Sequence, residues 1–155
     1  MRAAAATERP GTEIHSRGDL DAWLEAHAAE REPTGIHATF TVSLDGSMRL
    51  ASRRSEHVAC AAGEPVLSAG EISFDVGPNR VTAISNLSTG YCPERESWAA
   101  VAEALDRAGV PHPGRFTDAF VFRRCPACGE RNLVKDDDYS CALCGADLPT
   151  RWNFA

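Results

Sequence analysis

Cys125 and Cys128 stand two residues apart, as do Cys141 and Cys144, and each pair runs directly into a glycine, Gly129 and Gly145. Twelve residues, Gly129 to Ser140, separate the pairs. A Cys-x-x-Cys turn aims both sulfurs at one point. The glycine after it lets the backbone bend away, so that N–H groups face the thiolates. Two such turns offer four soft anionic ligands in a tetrahedron, the arrangement that suits Zn²⁺. An iron–sulfur cluster also takes four cysteines, so the site is better determined than the metal. A redox dithiol needs only one pair. With four protein ligands no coordination position stays open, and the ion is expected to be structural rather than catalytic.

In both turns, both glycines and the hairpin-length spacer, residues 123–149 resemble the zinc-ribbon family. The resemblance implies a small module that binds nucleic acid, binds protein or caps a neighbouring domain. The spacer "RNLVKDDDYS" is expected to form a small hairpin with Asp136–Asp138 at its tip. Arg123, Arg124, Arg131 and Lys135 are candidates for phosphate contacts. Against that, residues 123–155 hold five bases and five acids, so the module is neutral and the first 122 residues carry the whole net charge of −6. Phosphate binding normally needs a basic surface. The ending "LPTRWNFA" presents Leu148, Trp152 and Phe154, expected to fold back on the chain, with a partner anchor as the alternative.

The other two cysteines, Cys60 and Cys92, read as small core or loop residues. His57, Cys60 and Cys92 together hold the ligand types of a second metal site, but no spacing fixes their geometry. The stretches "HVACAAGEPVLSAGEISF" and "ISNLSTGYCPE" resemble a segment of bacterial effector and toxin domains. The matching residues are His57, Gly63, Pro65, Val66, Ala69, Gly70, Glu71, Asn86, Ser88, Tyr91 and Pro93. Some of those domains transfer AMP or otherwise handle nucleotides, using a serine and a His-x-x-x-Glu pair. The resemblance therefore implies a catalytic set drawn from Ser55, His57, Glu71, Tyr91 and Glu94. Gly90 stands where those domains have the histidine, and glycine carries no proton. The chemistry must then be lost or pass to another group, of which His57 is nearest. A shared fold without the activity is the plainer reading.

The elements that must position these residues are legible in outline. "DLDAWLEAHAAERE" places Leu20, Trp23, Leu24 and Ala28 on one helical face, with Asp19 as the expected cap and Pro33 as the stop. "IHATFTVSL" alternates apolar and polar residues with period two, and Asp45-Gly46 suits a hairpin turn into Met48–Ala51. A second hairpin is expected over "EISFDVGPNRVTAIS", turning at Gly77-Pro78-Asn79. "PERESWAAVAEALDRAG" reads as a second helix with a stripe of Trp98, Val101, Ala102 and Leu105, Pro93 in its first turn and Gly109 at its end. "DAFVFRR" reads as a strand leading into the cysteines. The expected fold is α+β: a small, mostly antiparallel sheet with two helices, then a C-terminal zinc ribbon. The expected division is a flexible tail at 1–17, the α+β domain at 18–122, and the ribbon with its C-terminal anchor at 123–155.

The chain has 155 residues, 43% hydrophobic and 25% charged, an ordinary balance for a globular protein. No apolar run approaches the roughly 18–20 residues that cross a membrane, and "MRAAAATERPG" lacks the apolar centre of a signal peptide. A cytoplasmic location is therefore expected, where paired cysteines more often hold metal than form disulfides. The favoured function is a binding or adaptor protein with a structural Cys₄ zinc site and another protein as partner. A small nucleotide-handling enzyme comes second and a nucleic-acid-binding ribbon third.

Overall fold

The computed structural model describes residues 9–75, 77 and 79–154. Five antiparallel strands form the main sheet: β1 (Thr12–Ile14), β2 (Ile36–Ser43), β3 (Met48–Ser52), β4 (Val66–Phe74) and β5 (Val81–Ile84), in the order β1-β3-β2-β4-β5. The helices are α1 (Arg17–Ala26), α2 (His57–Cys60) and α3 (Trp98–Arg107). Two further strands, β6 (Val121–Arg124) and β7 (Arg131–Val134), pair with each other in a second sheet. The expected α+β class is what the chain adopts.

Period two in β2 sorts its residues between two faces. Ala38, Phe40 and Val42 point into the core with Leu50, Ile72, Phe74 and Ile84. α1 covers this face with Leu20, Trp23 and Leu24, and α3 with Val101, Ala104 and Leu105. The hairpin between β2 and β3 turns at Gly46, whose φ of 88° favours glycine. At the C-terminus of α3, Gly109 takes φ 71°, its N–H donates to the Asp106 carbonyl, and the Val110 N–H donates to the Leu105 carbonyl. This is a Schellman stop, which satisfies the last helical carbonyls and returns the apolar Val110 to the core.

Several expectations are corrected. The segment assigned to the N-terminal tail joins the sheet: Thr12, Glu13 and Ile14 pair with Leu50, Arg49 and Met48. Residues 1–8 of that segment lie outside the described residues. One buried apolar residue, Ile14, is too short a signal to show a period. Ser16, not Asp19, caps α1 by accepting from the Asp19 N–H, while the Asp19 carboxylate accepts from the His15 N–H. That reciprocal pair satisfies two otherwise orphaned donors. α3 begins at Trp98, not at Pro93, because a 3₁₀ turn over Arg95–Ser97 intervenes. A third helix, the short α2, was not expected. In the second hairpin, Val76 and Pro78 lie outside the described residues; Gly77 and Asn79 both have positive φ, and the Asp75 N–H donates to the Arg80 carbonyl.

The C-terminal hairpin also differs. Arg131–Val134 pairs with Val121–Arg124, ahead of the first cysteine pair, not with residues later in the spacer. The Cys125–Cys128 turn is thus the hairpin loop. Asp136 and Asp137 do lie at a tight turn, with φ of 52° and 56°. Because β6 begins at Val121, the module's first strand starts two residues before the expected boundary.

Candidate metal centre

Two tight turns bring the four thiols together. The Gly129 N–H donates to the Cys125 carbonyl at 2.8 Å, and the Gly145 N–H to the Cys141 carbonyl at 2.9 Å. Both glycines have φ near 80°, which lets the chain leave each turn. The Sγ atoms of Cys125, Cys128, Cys141 and Cys144 all lie within 4.8 Å of one another. Cys125 and Cys144 are 3.5 Å apart, Cys128 and Cys141 3.6 Å. A disulfide holds its sulfurs at about 2.05 Å. A tetrahedron of thiolates at about 2.3 Å from one ion separates them by about 3.8 Å, so the spacing fits a shared ion and not a bridge. Cys125 and Cys141 are buried, while Cys128 and Cys144 face outward.

The Cys144 backbone N–H, helped by the Asn132 amide and the Leu143 N–H, holds the Cys141 thiol down at about 6. The Glu130 N–H pulls Cys128 downward too, yet local desolvation and the three neighbouring sulfurs push it up to about 12. Four adjacent thiolates repel one another too strongly to ionise together without a cation. The convergence of the four sulfurs makes the donor set able to hold a metal ion. Among the described residues no other group of three or more His, Cys, Asp or Glu side chains is close enough to do so, and His57, Cys60 and Cys92 are not such a group. Burial is the largest influence on both Cys60 and Cys92 and pushes each thiol up, which leaves them unreactive.

The module's arginines are largely committed to its own chain. Arg123, expected as a phosphate contact, is buried and donates to the carbonyls of Phe122, Pro149 and Thr150. Arg124 stacks over Phe154 at 5.4 Å. Arg131 reaches across to the main domain and donates to the carbonyls of Thr89 and Gly90, both at 2.9 Å. The C-terminal segment folds back: Leu148 packs with Cys125 and Cys141, the Trp152 indole donates to the Cys92 carbonyl at 2.7 Å, and Asn153 bonds both backbone groups of Arg124.

The implied catalytic residues fall in separate places. Ser55, His57 and Glu71 surround the face of the sheet opposite α1 and α3. The Ser55 carbonyl accepts from Thr39, across the strand pair from Glu71, and His57 Nε2 donates to the Gly70 carbonyl at 2.9 Å. Gly70 itself cannot carry a side chain, since a Cβ would sit 1.8 Å from the Ser85 carbonyl oxygen. Tyr91 caps the Glu64 carbonyl through its hydroxyl. Glu94 lines a cleft of about 400 Å³ with Arg95, Phe122, Thr150, Arg151 and Trp152, at the junction of the two units. Gly90 lies against Val58 of α2. Register adds a pair that sequence reasoning missed: His37 and Ser73 face each other from β2 and β4, with His37 Nδ1 2.6 Å from the Ser73 hydroxyl. Each is an outward position of its strand, but only the pairing brings them together.

His57 makes a pH prediction. Burial depresses its imidazole, against the opposing pull of the Gly70 carbonyl and the Glu71 carboxylate. The folded state therefore binds fewer protons than the unfolded chain, whose histidine titrates near about 6.5. Stability from this group is complete above that value and is lost as pH falls toward the depressed folded value. His57→Gln keeps a donor for Gly70 but does not titrate. Urea melts at pH 7.5 and pH 5 should show a larger loss for the wild type than for His57→Gln; equal losses would refute the assignment.

Comparison of the chain with family models, with curated proteins and with solved structures finds no match. Among the described residues no helix is long and apolar enough to cross a membrane.

Proposed function

We propose that this chain is a binding or adaptor protein whose C-terminal module is a zinc ribbon held by one structural ion on Cys125, Cys128, Cys141 and Cys144. The observation that carries the reading is the convergence of all four sulfurs within 4.8 Å, which leaves a tetrahedral ion no open position. Zinc accounts for the donor set because four thiolates in a tetrahedron match its ligand preference. The ribbon braces the loop over residues 88–92 through Arg131 and Trp152. Its surface carries an open groove of about 540 Å³ lined by Leu133, Ala142 and Leu143, with Lys135, Arg131 and Glu130 also in the lining. Leu143 is 69% exposed. The partner that fits is a protein presenting an apolar side chain beside an acidic one.

Elemental analysis of the purified chain should return one zinc per polypeptide, released by a thiol-modifying mercurial. Iron, no metal, or a Cys–Cys bridge overturns the metal reading. For the partner, a photo-cross-linking residue placed at Leu133 should give a discrete protein adduct that disappears with Leu143→Asp; an adduct indifferent to that change argues against the groove. The second reading, a nucleotide-handling enzyme, is favoured by the adjacency of His57 and Glu71. A nucleotide that binds the wild type and not His57→Ala would establish it over the adaptor. Nucleic-acid binding ranks third because Arg123, Arg124 and Arg131 are already engaged.

A further inference from the structure

The sheet face opposite α1 and α3 holds a side-chain cluster that the metal-centred reading leaves unused. His37 Nδ1 lies 2.6 Å from Ser73 Oγ. On the other side of the ring, Nε2 lies 2.8 Å from Thr34 Oγ1 and 3.4 Å from a Glu32 carboxylate oxygen. The carboxylate can only accept and so favours the proton on Nε2, while the threonine hydroxyl serves either tautomer. Nδ1 then presents its lone pair to the serine hydroxyl, the orientation in which a histidine can accept that proton. Both groups are reachable: the His37 side chain is 24% exposed and Ser73 is half-buried. Ser73 stands at a register irregularity between β4 and β5, a feature that commonly re-aims a side chain beside a site.

We propose that Ser73 is a nucleophile toward uncharged carboxylic esters, with His37 as its general base and Glu32 as a positioning residue. Ser73 Oγ bonds to the acyl carbon while its proton passes to His37 Nδ1. The carbon–oxygen bond to the alcohol then breaks, and the alcohol leaves with that proton. Water, deprotonated by the same nitrogen, releases the acid and restores the serine. Glu71, one pleat along β4 on the same face, disfavours anionic substrates, while Arg53 donates to the other oxygen of Glu32 at 2.7 Å and offsets that charge.

The test uses an alkyl fluorophosphonate on the full-length chain, with peptide mapping by mass spectrometry. An adduct on Ser73 is expected, absent from Ser73→Ala. His37→Gln retains a hydrogen-bonding side chain but no base, and should lower the labelling rate by about 100-fold or more. Glu32→Gln should lower the limiting labelling rate without changing the half-saturating probe concentration, and Glu32→Asp should restore it; a change in that concentration alone removes the positioning role. An unlabelled Ser73 in protein that melts cooperatively overturns the proposal, and so does labelling at an unchanged rate in His37→Gln. Neither outcome depends on the metal, so failure here leaves the ribbon reading standing.

Discussion

Cys141→Ser is expected to empty the metal site and unfold the chain from β6 to the C-terminus, while the five-stranded sheet survives. The reason is the size of the module's own core. Around the metal it buries only Cys125, Cys141 and Leu148, with Val134, Tyr139 and Ala146 partly covered, and Phe122 of β6 is the one large buried apolar side chain besides. Burying one leucine contributes about 1.5–3 kcal/mol. A core this small, with two short strands, cannot by itself order the segment from β6 to the C-terminus. A structural zinc contributes about 10–16 kcal/mol, more than any other interaction the module makes. Serine offers a harder, more weakly binding oxygen, and leaves Asn132 and the Cys144 N–H without the thiolate they face. Metal analysis, limited trypsin digestion and tryptophan emission check this. Metal should fall to zero, new cleavages should open at Arg124 and Lys135, and Trp152 should shift to the red as it leaves the Cys92 carbonyl. Cys60→Ser, remote from the cluster, should keep its metal. A Cys141→Ser protein that retains both metal and protease resistance would show that the tetrathiolate does not hold the module.

Asn86→Ala should cost about 3–5 kcal/mol, the second large effect. Asn86 is completely buried, and its side chain serves three backbone groups, two of them 34 residues away in sequence. Nδ2 donates to the carbonyls of Pro93 at 3.0 Å and Phe120 at 2.8 Å, and Oδ1 accepts from the Phe120 N–H at 2.7 Å. Alanine leaves all three without their partner in a largely buried place, and each such group costs about 1–3 kcal/mol. For a chain of this size the melting temperature should fall by roughly 10–15 °C. The change also cuts the link between the end of the main sheet and the strand entering the cysteine module. Metal binding itself should persist, because no ligand is touched. A loss below about 1 kcal/mol would mean that the backbone finds other partners and that Asn86 is not the bridge between the two units.

These two residues show what kind of information each level carries. The cysteine cluster was legible because its geometry is local: two residues between thiols and a glycine beyond them determine where each pair of sulfurs points. The hairpin at Asp45-Gly46 and the stop at Gly109 were legible for the same reason. Asn86 was visible only as one position in a resemblance, since nothing in its neighbours says that Phe120 will come to lie against it. Arg123 reads from sequence as a surface charge beside a metal site. In the fold it is enclosed by the returning C-terminal segment, whose carbonyls at Pro149 and Thr150 take its protons.

The α+β class, the main helices and hairpins, and the four candidate ligands follow from periodicity, turn chemistry and spacing, which act over a few residues. Tertiary structure alone decided the rest: that β1 closes the sheet edge, that β7 pairs across the first cysteine turn, that His37 meets Ser73, and that Arg131 and Trp152 clamp the loop before Glu94. Each of those depends on a contact between segments far apart along the chain. Such contacts are selected by the free energy of the whole packed molecule, which no short stretch contains.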